Sequence, residues 1–462
     1  MKKQLFAIVL SLCILTYNSI TCFATQNIDV ETSQIPNWPV GPNINAGAAF
    51  LFEANTGVIL YAKNIHDKMY PASTTKLMTA LLAAENSKMS ETVKFSSTAV
   101  FSLEEGSSNI GIDPGQSMPM EECLYGIMVA SANEVANAVA EHVGGSIPQF
   151  VDMMNEKVRE LGLVDTHFTN ANGLFDEQHY TSCYDLAIIA REFFKNDRLS
   201  KIGNTGNYHF QATANQPDDF YIKNKHKLIN GDIPYSGIKG GKTGYTSQAK
   251  ESLVTCAEND GMKLICVVMK EEAPDQFTDT VKLFDYGFSN FQVTNIADND
   301  NRYAIKSSNF FPTSVDVLGN SDQILELNPN NYIIMPRNIT FKDLETSIDY
   351  GTDFADEVAY IEYSYHGAYL GNGSVNLINN NLIKSAFDDS VSTEIEKVEK
   401  AEEKPIIINV IIVVKYITII TLILIVLSFI HYVFVNYNLF DNFKEKQTIK
   451  KRRRRDSGGV HL

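Results

Sequence analysis

Pro71-Ala-Ser-Thr-Thr-Lys-Leu-Met-Thr-Ala-Leu-Leu-Ala-Ala-Glu85 is the stretch that most limits how this chain can fold. A proline and three small hydroxyl residues precede a run of strong helix formers, a pattern that predicts a helix N-terminus. Leu77 to Ala84 is apolar nearly all round, and a helix apolar on every side has to be surrounded by other elements. The chain must therefore build a domain large enough to enclose it. Ser73 and Lys76 sit three apart, so on a helix their side chains share a face and can share a proton. A buried helix that opens on a hydroxyl and an amine makes Ser73 a candidate nucleophile and Lys76 its candidate base.

The flanking residues supply the enclosure. Ala48–Phe52 and Val58–Tyr61 are short β-type runs around Asn55-Thr56-Gly57, and Ser252–Ala257 and Lys263–Lys270 form a second pair around Asn259-Asp260-Gly261. Neither hairpin is stable alone, so the two are expected to join in one sheet. Between them the apolar spacing turns helical. Cys123, Leu124, Ile127 and Met128, then Val135 and Val139, predict helices on either side of Ala130-Ser131-Ala132-Asn133. Phe150, Met153, Met154 and Val158 give another stripe ending near Gly162; residues 171–180 read as a loop, Tyr184 to Phe194 as a helix, and Phe277 to Phe288 as a closing helix. Strands first and last with helices between indicate an α/β (α+β) domain over residues 43–291. Residues 292–385 lose the helical period. Ile333–Met335, Val358–Tyr363 and Val375–Ile378 are candidate strands of a second, small all-β domain.

The two ends of the chain differ from its middle. Met1-Lys2-Lys3, the apolar Leu5–Leu15 and a Cys22-x-Ala24 pattern predict a secretory signal peptide over residues 1–24, followed by a polar linker at 25–42. Thr21 before Cys22 argues against a lipoprotein. Residues 386–405 are charged and core-poor, a spacer. Ile406 to Val435 is apolar enough to span a bilayer, with Lys415 near one end where it can snorkel. The basic run from Lys444 to Arg455, within a tail at 436–462, belongs on the cytoplasmic side by the positive-inside rule. The expected topology is a single-pass membrane protein, exported, with its folded part outside the cytoplasm. The net charge of -16 is unevenly spread: the end segments hold 11 of the 39 Lys and Arg and 3 of the 55 acids, leaving about 28 bases against 52 acids in residues 25–405. So acidic a body is a poor partner for nucleic acid.

Cys123, Cys183, Cys256 and Cys266 are too sparse for a disulfide framework, and a two-residue turn at Asp260-Gly261 would set Cys256 opposite Ile265 rather than Cys266. His142, His167, His179 and His226 lack metal-binding spacing, so no metal or cofactor is expected, and His179 reads as structural. Ser-x-x-Lys by itself identifies little: Ser236/Lys239 and Ser247/Lys250 repeat it among glycines and turns. Ser-x-Asn is just as common, at Ser107–Asn109, Ser307–Asn309 and Ser374–Asn376. Lys242-Thr243-Gly244 occurs once.

The ordered set is more specific than its parts. Ser73-Thr-Thr-Lys76, Ser131-Ala-Asn133 and Lys242-Thr-Gly244 together resemble the three-part signature of penicillin-binding proteins and serine β-lactamases. Gly106-Ser-Ser108, Asn172-Gly-Leu174, His179-Tyr-Thr-Ser182, Gly240–Thr246 and Asp285–Phe291 narrow the resemblance to the low-molecular-mass D-alanyl-D-alanine carboxypeptidases. It covers residues 43–291, and more loosely the β-rich region and the membrane attachment.

The resemblance implies a β-lactamase/DD-peptidase-like fold, with a mainly antiparallel sheet flanked by helices. It also implies removal of the terminal D-alanine from peptidoglycan stem pentapeptides through an acyl-enzyme on Ser73, with β-lactams acylating the same serine. Lys76, kept neutral by burial and by Lys242, would be the base; Ser131 would relay a proton, and Asn133 would hold Lys76 and the substrate amide. Lys242 and Thr243 would bind the terminal carboxylate on the Lys242-Thr243-Gly244 segment, and the Ser73 and Tyr245 N–H groups would form the oxyanion hole. One departure is Gln276, where the family commonly has arginine before the phenylalanine that opens the closing helix. The alternatives are a serine β-lactamase, which usually adds a Glu-x-x-Leu-Asn loop not found in this sequence, and a catalytically weak wall-binding scaffold.

Overall fold

The computed structural model describes residues 32–300, 302, 305–306, 323–350 and 357–377, all of which lie in one compact unit. The predicted signal peptide, spacer, membrane span and basic tail lie outside the described residues, as do Ser307 and Ile378. Among the described residues no helix is long and apolar enough to cross a membrane.

Five antiparallel strands form the central sheet, in the order β2 (Ile59–Lys63), β1 (Ala48–Glu53), β9 (Met262–Glu271), β8 (Lys250–Asn259), β7 (Ile238–Thr246). The two hairpins join through β1 and β9, from Ala48 opposite Met269 to Glu53 opposite Leu264. In the β8–β9 hairpin Asn259 faces Met262, which leaves Asp260 and Gly261 as the turn, with φ of 48° and 78°. Two positive φ angles make the tight loop whose twist matches its strands. Cys256 consequently faces Ile265, and all four cysteines of the described residues are free and buried.

Alternate residues of these strands enter two different cores. Phe50, Phe52, Ile265 and Val267 face the helical layer. Ala49, Leu51, Leu264, Cys266 and Val268 face the other side, where Phe277, Leu283 and Phe284 of the closing helix cover them. The helical layer comprises α1 (Lys76–Asn86), α2 (Ser97–Phe101), α3 (Met120–Tyr125), α4 (Asn133–Gly144), α5 (Ile147–Glu160), α6 (Cys183–Lys195) and α7 (Asp197–Gly203); α8 (Asp275–Asn290) is the closing helix. Every residue of α1 from Lys76 to Ala83 is buried. Leu77, Met78, Leu81 and Leu82 each contribute about 1.5–3 kcal/mol of apolar burial, which offsets the cost of enclosing Lys76 with them.

Several elements differ from the sequence reading. Gly126–Ala130, expected to continue a helix, is a π-helical turn, a form common at functional sites. The short helices α2 and α7 have too few residues to show a period; their caps are Ser96, which accepts from Ala99 N, and Asn196, which accepts from Arg198 and Leu199 N. Two small ladders, β3 (Thr92–Lys94) with β4 (Ser117–Pro119) and β5 (Asn207–Phe210) with β6 (Phe220–Lys223), are equally brief. The largest omission is β7. Gly240, Gly241 and Gly244 strip it of the branched side chains that mark a strand, yet they permit close approach: a Cβ on Gly241 would lie 2.4 Å from the Val254 carbonyl oxygen.

Beyond α8, β10 (Phe291–Asn295) pairs with β13 (Tyr332–Pro336). A second five-stranded sheet runs β11 (Ile305–Lys306), β12 (Gln323–Leu327), β16 (Ala368–Leu377), β15 (Glu357–Tyr365), β14 (Glu345–Asp349). Ile333, Ile361 and Tyr363 of this region share a buried cluster with Trp38, Leu51 and Phe291, and Asn55 donates to the Tyr332 hydroxyl at 2.9 Å.

Candidate active site

Ser73 lies in a 3-10 turn, Ala72–Thr75, that leads directly into α1. The turn opens with Ala72 in the left-handed region at φ 50°, a conformation that costs energy for a residue with a Cβ. It is clamped from two sides. A Cβ on Gly173 would lie 1.9 Å from the Ala72 carbonyl oxygen, and one on Gly244 would lie 2.8 Å from the Pro71 oxygen and 3.1 Å from Ser73 N. Only glycine at both positions lets the 170s loop and β7 close on the turn. His179, buried, shares a 2.8 Å hydrogen bond with Thr75 Oγ1 and accepts from Thr169 N at 3.0 Å. Burial holds its imidazole pKa down to about 3, so it acts as a neutral brace.

Lys76 is fully buried. Its Nζ donates to Ser73 Oγ at 3.0 Å, to Asn133 Oδ1 at 2.6 Å and to the Asn172 carbonyl at 2.5 Å. Three acceptors match the three donors of an ammonium. Loss of one proton leaves two N–H groups for Asn133 and Asn172 and a lone pair facing Ser73. The surroundings favour that loss: burial first, then the nearby charge of Lys242, push the Lys76 pKa well below the lysine range.

Lys242, on β7, is also buried, and donates to Ser131 Oγ at 3.0 Å and to the Thr243 carbonyl at 2.9 Å. Burial, helped by Lys225, brings its pKa down to about 7. Ser131 follows the π-helical turn with φ 60° and ψ 33°, and Asn133 begins α4. The left-handed residue turns the chain between two helical pieces. Thr243, Gly244 and Tyr245 continue β7 along a cleft of about 630 Å³ that also exposes Ser73, Ser131, Asn133 and Gln276. Gln276 is nine-tenths buried and its Oε1 has no partner.

The structure thus joins Ser73, Lys76 and Asn133 in one hydrogen-bonded set and Ser131 and Lys242 in a second, and Ser73, Ser131, Asn133, Thr243, Gly244 and Tyr245 line the same cleft. The repeated motifs go elsewhere. Lys239 pairs with Glu258 at 3.1 Å and Lys250 with Glu272 at 3.0 Å, each half-exposed. Ser374 bonds Asn331 rather than a lysine. Three contributors escape sequence reasoning. The Asn172 carbonyl is a backbone group, and no residue type announces it. Glu134 follows the Ser131/Asn133 motif and sits close enough to act on the Lys76 charge. Lys225 donates to Ser108 Oγ at 2.9 Å on the cleft wall, having come from a segment without periodicity.

Comparison with known proteins gives a consistent assignment. Residues 33–273 match the family peptidase S11, D-alanyl-D-alanine carboxypeptidase. The chain is 37% identical over 299 residues to the D-alanyl-D-alanine carboxypeptidase DacF of Bacillus subtilis, covering 63% of this chain and 72% of that protein. It is 31% identical over 287 residues to DacA of Haemophilus influenzae, covering 60% and 70%. Penicillin-binding protein 5 from Haemophilus influenzae has a similar fold, with a TM-score of 0.59 and 24% identity over 74% of this chain and 98% of the other. The S96A mutant of the Streptomyces K15 DD-transpeptidase superposes with a TM-score of 0.51 and 27% identity, over 54% and 99%.

Proposed function

The chain belongs to the peptidase S11 family of D-alanyl-D-alanine carboxypeptidases, and on that premise we propose how its own residues release a terminal D-alanine from a peptidoglycan stem peptide. Ser73 Oγ attacks the carbonyl carbon of the penultimate D-alanine while its proton passes to the lone pair of neutral Lys76. Asn133 Oδ1 and the Asn172 carbonyl hold the other two amine hydrogens, so the lone pair has one direction left. The Ser73 and Tyr245 N–H groups receive the oxyanion; Ser73 sits in a first turn, where N–H groups have no carbonyl behind them. Ser131, bonded to Lys242 and lining the same cleft as Ser73, relays the proton from Lys76 to the departing nitrogen. The C–N bond breaks, D-alanine leaves, and an ester remains on Ser73. Water then adds to the ester, giving one proton to Lys76 and releasing the shortened peptide as Ser73 regains its hydrogen. Lys242 and Thr243 bind the terminal carboxylate, and Gln276 offers a neutral amide at the same cleft.

The observation that carries this reading is the buried Lys76 amine, bonded at once to Ser73 and Asn133. A β-lactam enters the same chemistry by opening its ring on Ser73. Full-length protein incubated with a labelled penicillin is expected to carry a stable adduct that Ser73→Ala lacks, and to release D-alanine from a pentapeptide. Rapid turnover of the penicillin would instead indicate a β-lactamase, and equal D-alanine release by Ser73→Ala would remove the nucleophile assignment.

The membrane topology belongs to the same proposal: signal peptide at 1–24, linker at 25–42, catalytic domain at 43–291, β-rich domain at 292–385, spacer at 386–405, span at 406–435 and cytoplasmic tail at 436–462. Its support is the apolar run and the basic tail that follows it. In intact protoplasts, external protease is expected to remove the catalytic domain and spare an epitope on the tail; a digested epitope would reverse the orientation.

A further inference from the structure

Glu134 is a buried acid for which the proposed route has no use. It stands second in α4, immediately after Asn133, and is 1% exposed. A carboxylate there is favoured by the free N–H groups of the helix start. Its Oε1 accepts the Ile110 N–H at 2.6 Å, while Oε2 is buried with no hydrogen-bond partner. Next to it, Asn133 N donates to the Ser108 carbonyl at 2.8 Å. Two adjacent residues of the catalytic helix therefore grip one loop, and that loop supplies Glu104 to Ser108 to the cleft wall.

Glu134 also lies close enough to Lys76 for its charge to act on the buried amine. The charged groups acting on Lys76 come from three directions: Lys242 on β7, Lys225 on the segment before it, and Glu134 on α4. His179, which braces the turn through Thr75, is neutral. Both other lysines disfavour a positive Lys76, and Glu134 is the group that favours it. Burial raises the Glu134 pKa, and Lys76 and the loop N–H groups work against that rise.

We propose that Glu134 is a positioning residue for acylation of Ser73, fixing the Ser107–Gly111 loop against the start of α4 and supplying negative charge opposite Lys76. The assignment rests on the proposed role of Lys76 as base. A structural anchor alone would tie the loop without affecting how Lys76 titrates, so the two roles separate by pH.

The test is the second-order rate of acylation by a fluorescent penicillin, measured across pH on the full-length protein. Glu134→Gln keeps an oxygen for Ile110 N and removes the charge. Lys76 then loses its proton more readily, and the acidic limb is expected to move down by about half a pH unit or more, with the plateau within about threefold of wild type. Glu134→Ala also frees the loop, and its plateau is expected to fall by about tenfold or more. A Glu134→Gln limb superimposed on that of wild type would overturn the proposal, as would a Glu134→Ala plateau equal to wild type in a protein with normal thermal unfolding. If Glu134→Ala does not fold, the Glu134→Gln limb decides. Wild-type acylation and its loss in Ser73→Ala test the underlying reading separately.

Discussion

The turn at Ser73–Lys76 and the turn at Ser247–Lys250 share a spacing and almost nothing else. At the first, a 3-10 turn runs into an enclosed helix, and the lysine amine is sealed against Ser73, Asn133 and Asn172. At the second, the chain reverses between two strands; Ser247 turns to the neighbouring Gln248, and Lys250 reaches Glu272 near the surface. The two amines consequently move in opposite directions. Burial drives the Lys76 pKa down, and the Glu272 carboxylate drives that of Lys250 up. The lesson is that spacing brings two groups within reach, but the surrounding packing decides whether the amine is a base or an ordinary cation.

Substitutions can break that contrast. The largest effect is expected for Lys76→Met, which keeps the stem and removes the base. Acylation by penicillin and D-alanine release should both fall by roughly a thousandfold or more, with little further loss when Ser73→Ala is added, because the pair acts as a unit. Retention of a tenth of the wild-type rate would mean that another group takes the serine proton.

The second buried lysine adds a pH axis. Lys242 is charged below about 7 and neutral above it, a base whose folded-state pKa is depressed. Its attraction for a carboxylate is therefore present at low pH and lost as pH rises through about 7. For the peptide, kcat/KM should decline above that point by up to about tenfold per pH unit. For a substrate amidated at its C-terminus the decline should be absent. Identical profiles for the two substrates would place carboxylate recognition elsewhere, for instance on Gln276 alone. The smallest effect belongs to the second turn: Lys250→Met should change acylation by no more than about twofold, measured with the same penicillin.

Much of this contrast is legible in the sequence, because it rests on local patterns. Pro71 and the hydroxyl cluster mark the start of α1, the all-round apolar run marks its burial, and Asp260-Gly261 sets the β8–β9 register to the residue. The ordering of three weak motifs identifies the family. What the sequence conceals is chemistry carried by the backbone or by closeness. β7 is hidden because Gly240, Gly241 and Gly244, which let it lie against the Ser73 turn, also erase its strand pattern. The left-handed Ala72 and Ser131 carry no residue-type signal, since both are ordinary side chains held there by tertiary contacts. The Asn172 carbonyl and the Glu134 charge reach Lys76 from loops and helices dozens of residues away. Packing brings them together, and no period in the chain foretells it.

The central claim is that Lys76 is a neutral amine under conditions where an ordinary lysine is charged. The direct measurement is nitrogen NMR of the full-length protein with labelled lysine side chains, with Lys76 assigned by its loss in Lys76→Met and Lys250 by its loss in Lys250→Met. At pH 9, more than a unit below the usual lysine value of about 10.4, the account predicts a neutral amine signal for Lys76 and an ammonium signal for Lys250 in the same sample. An ammonium signal for Lys76 at that pH would contradict it.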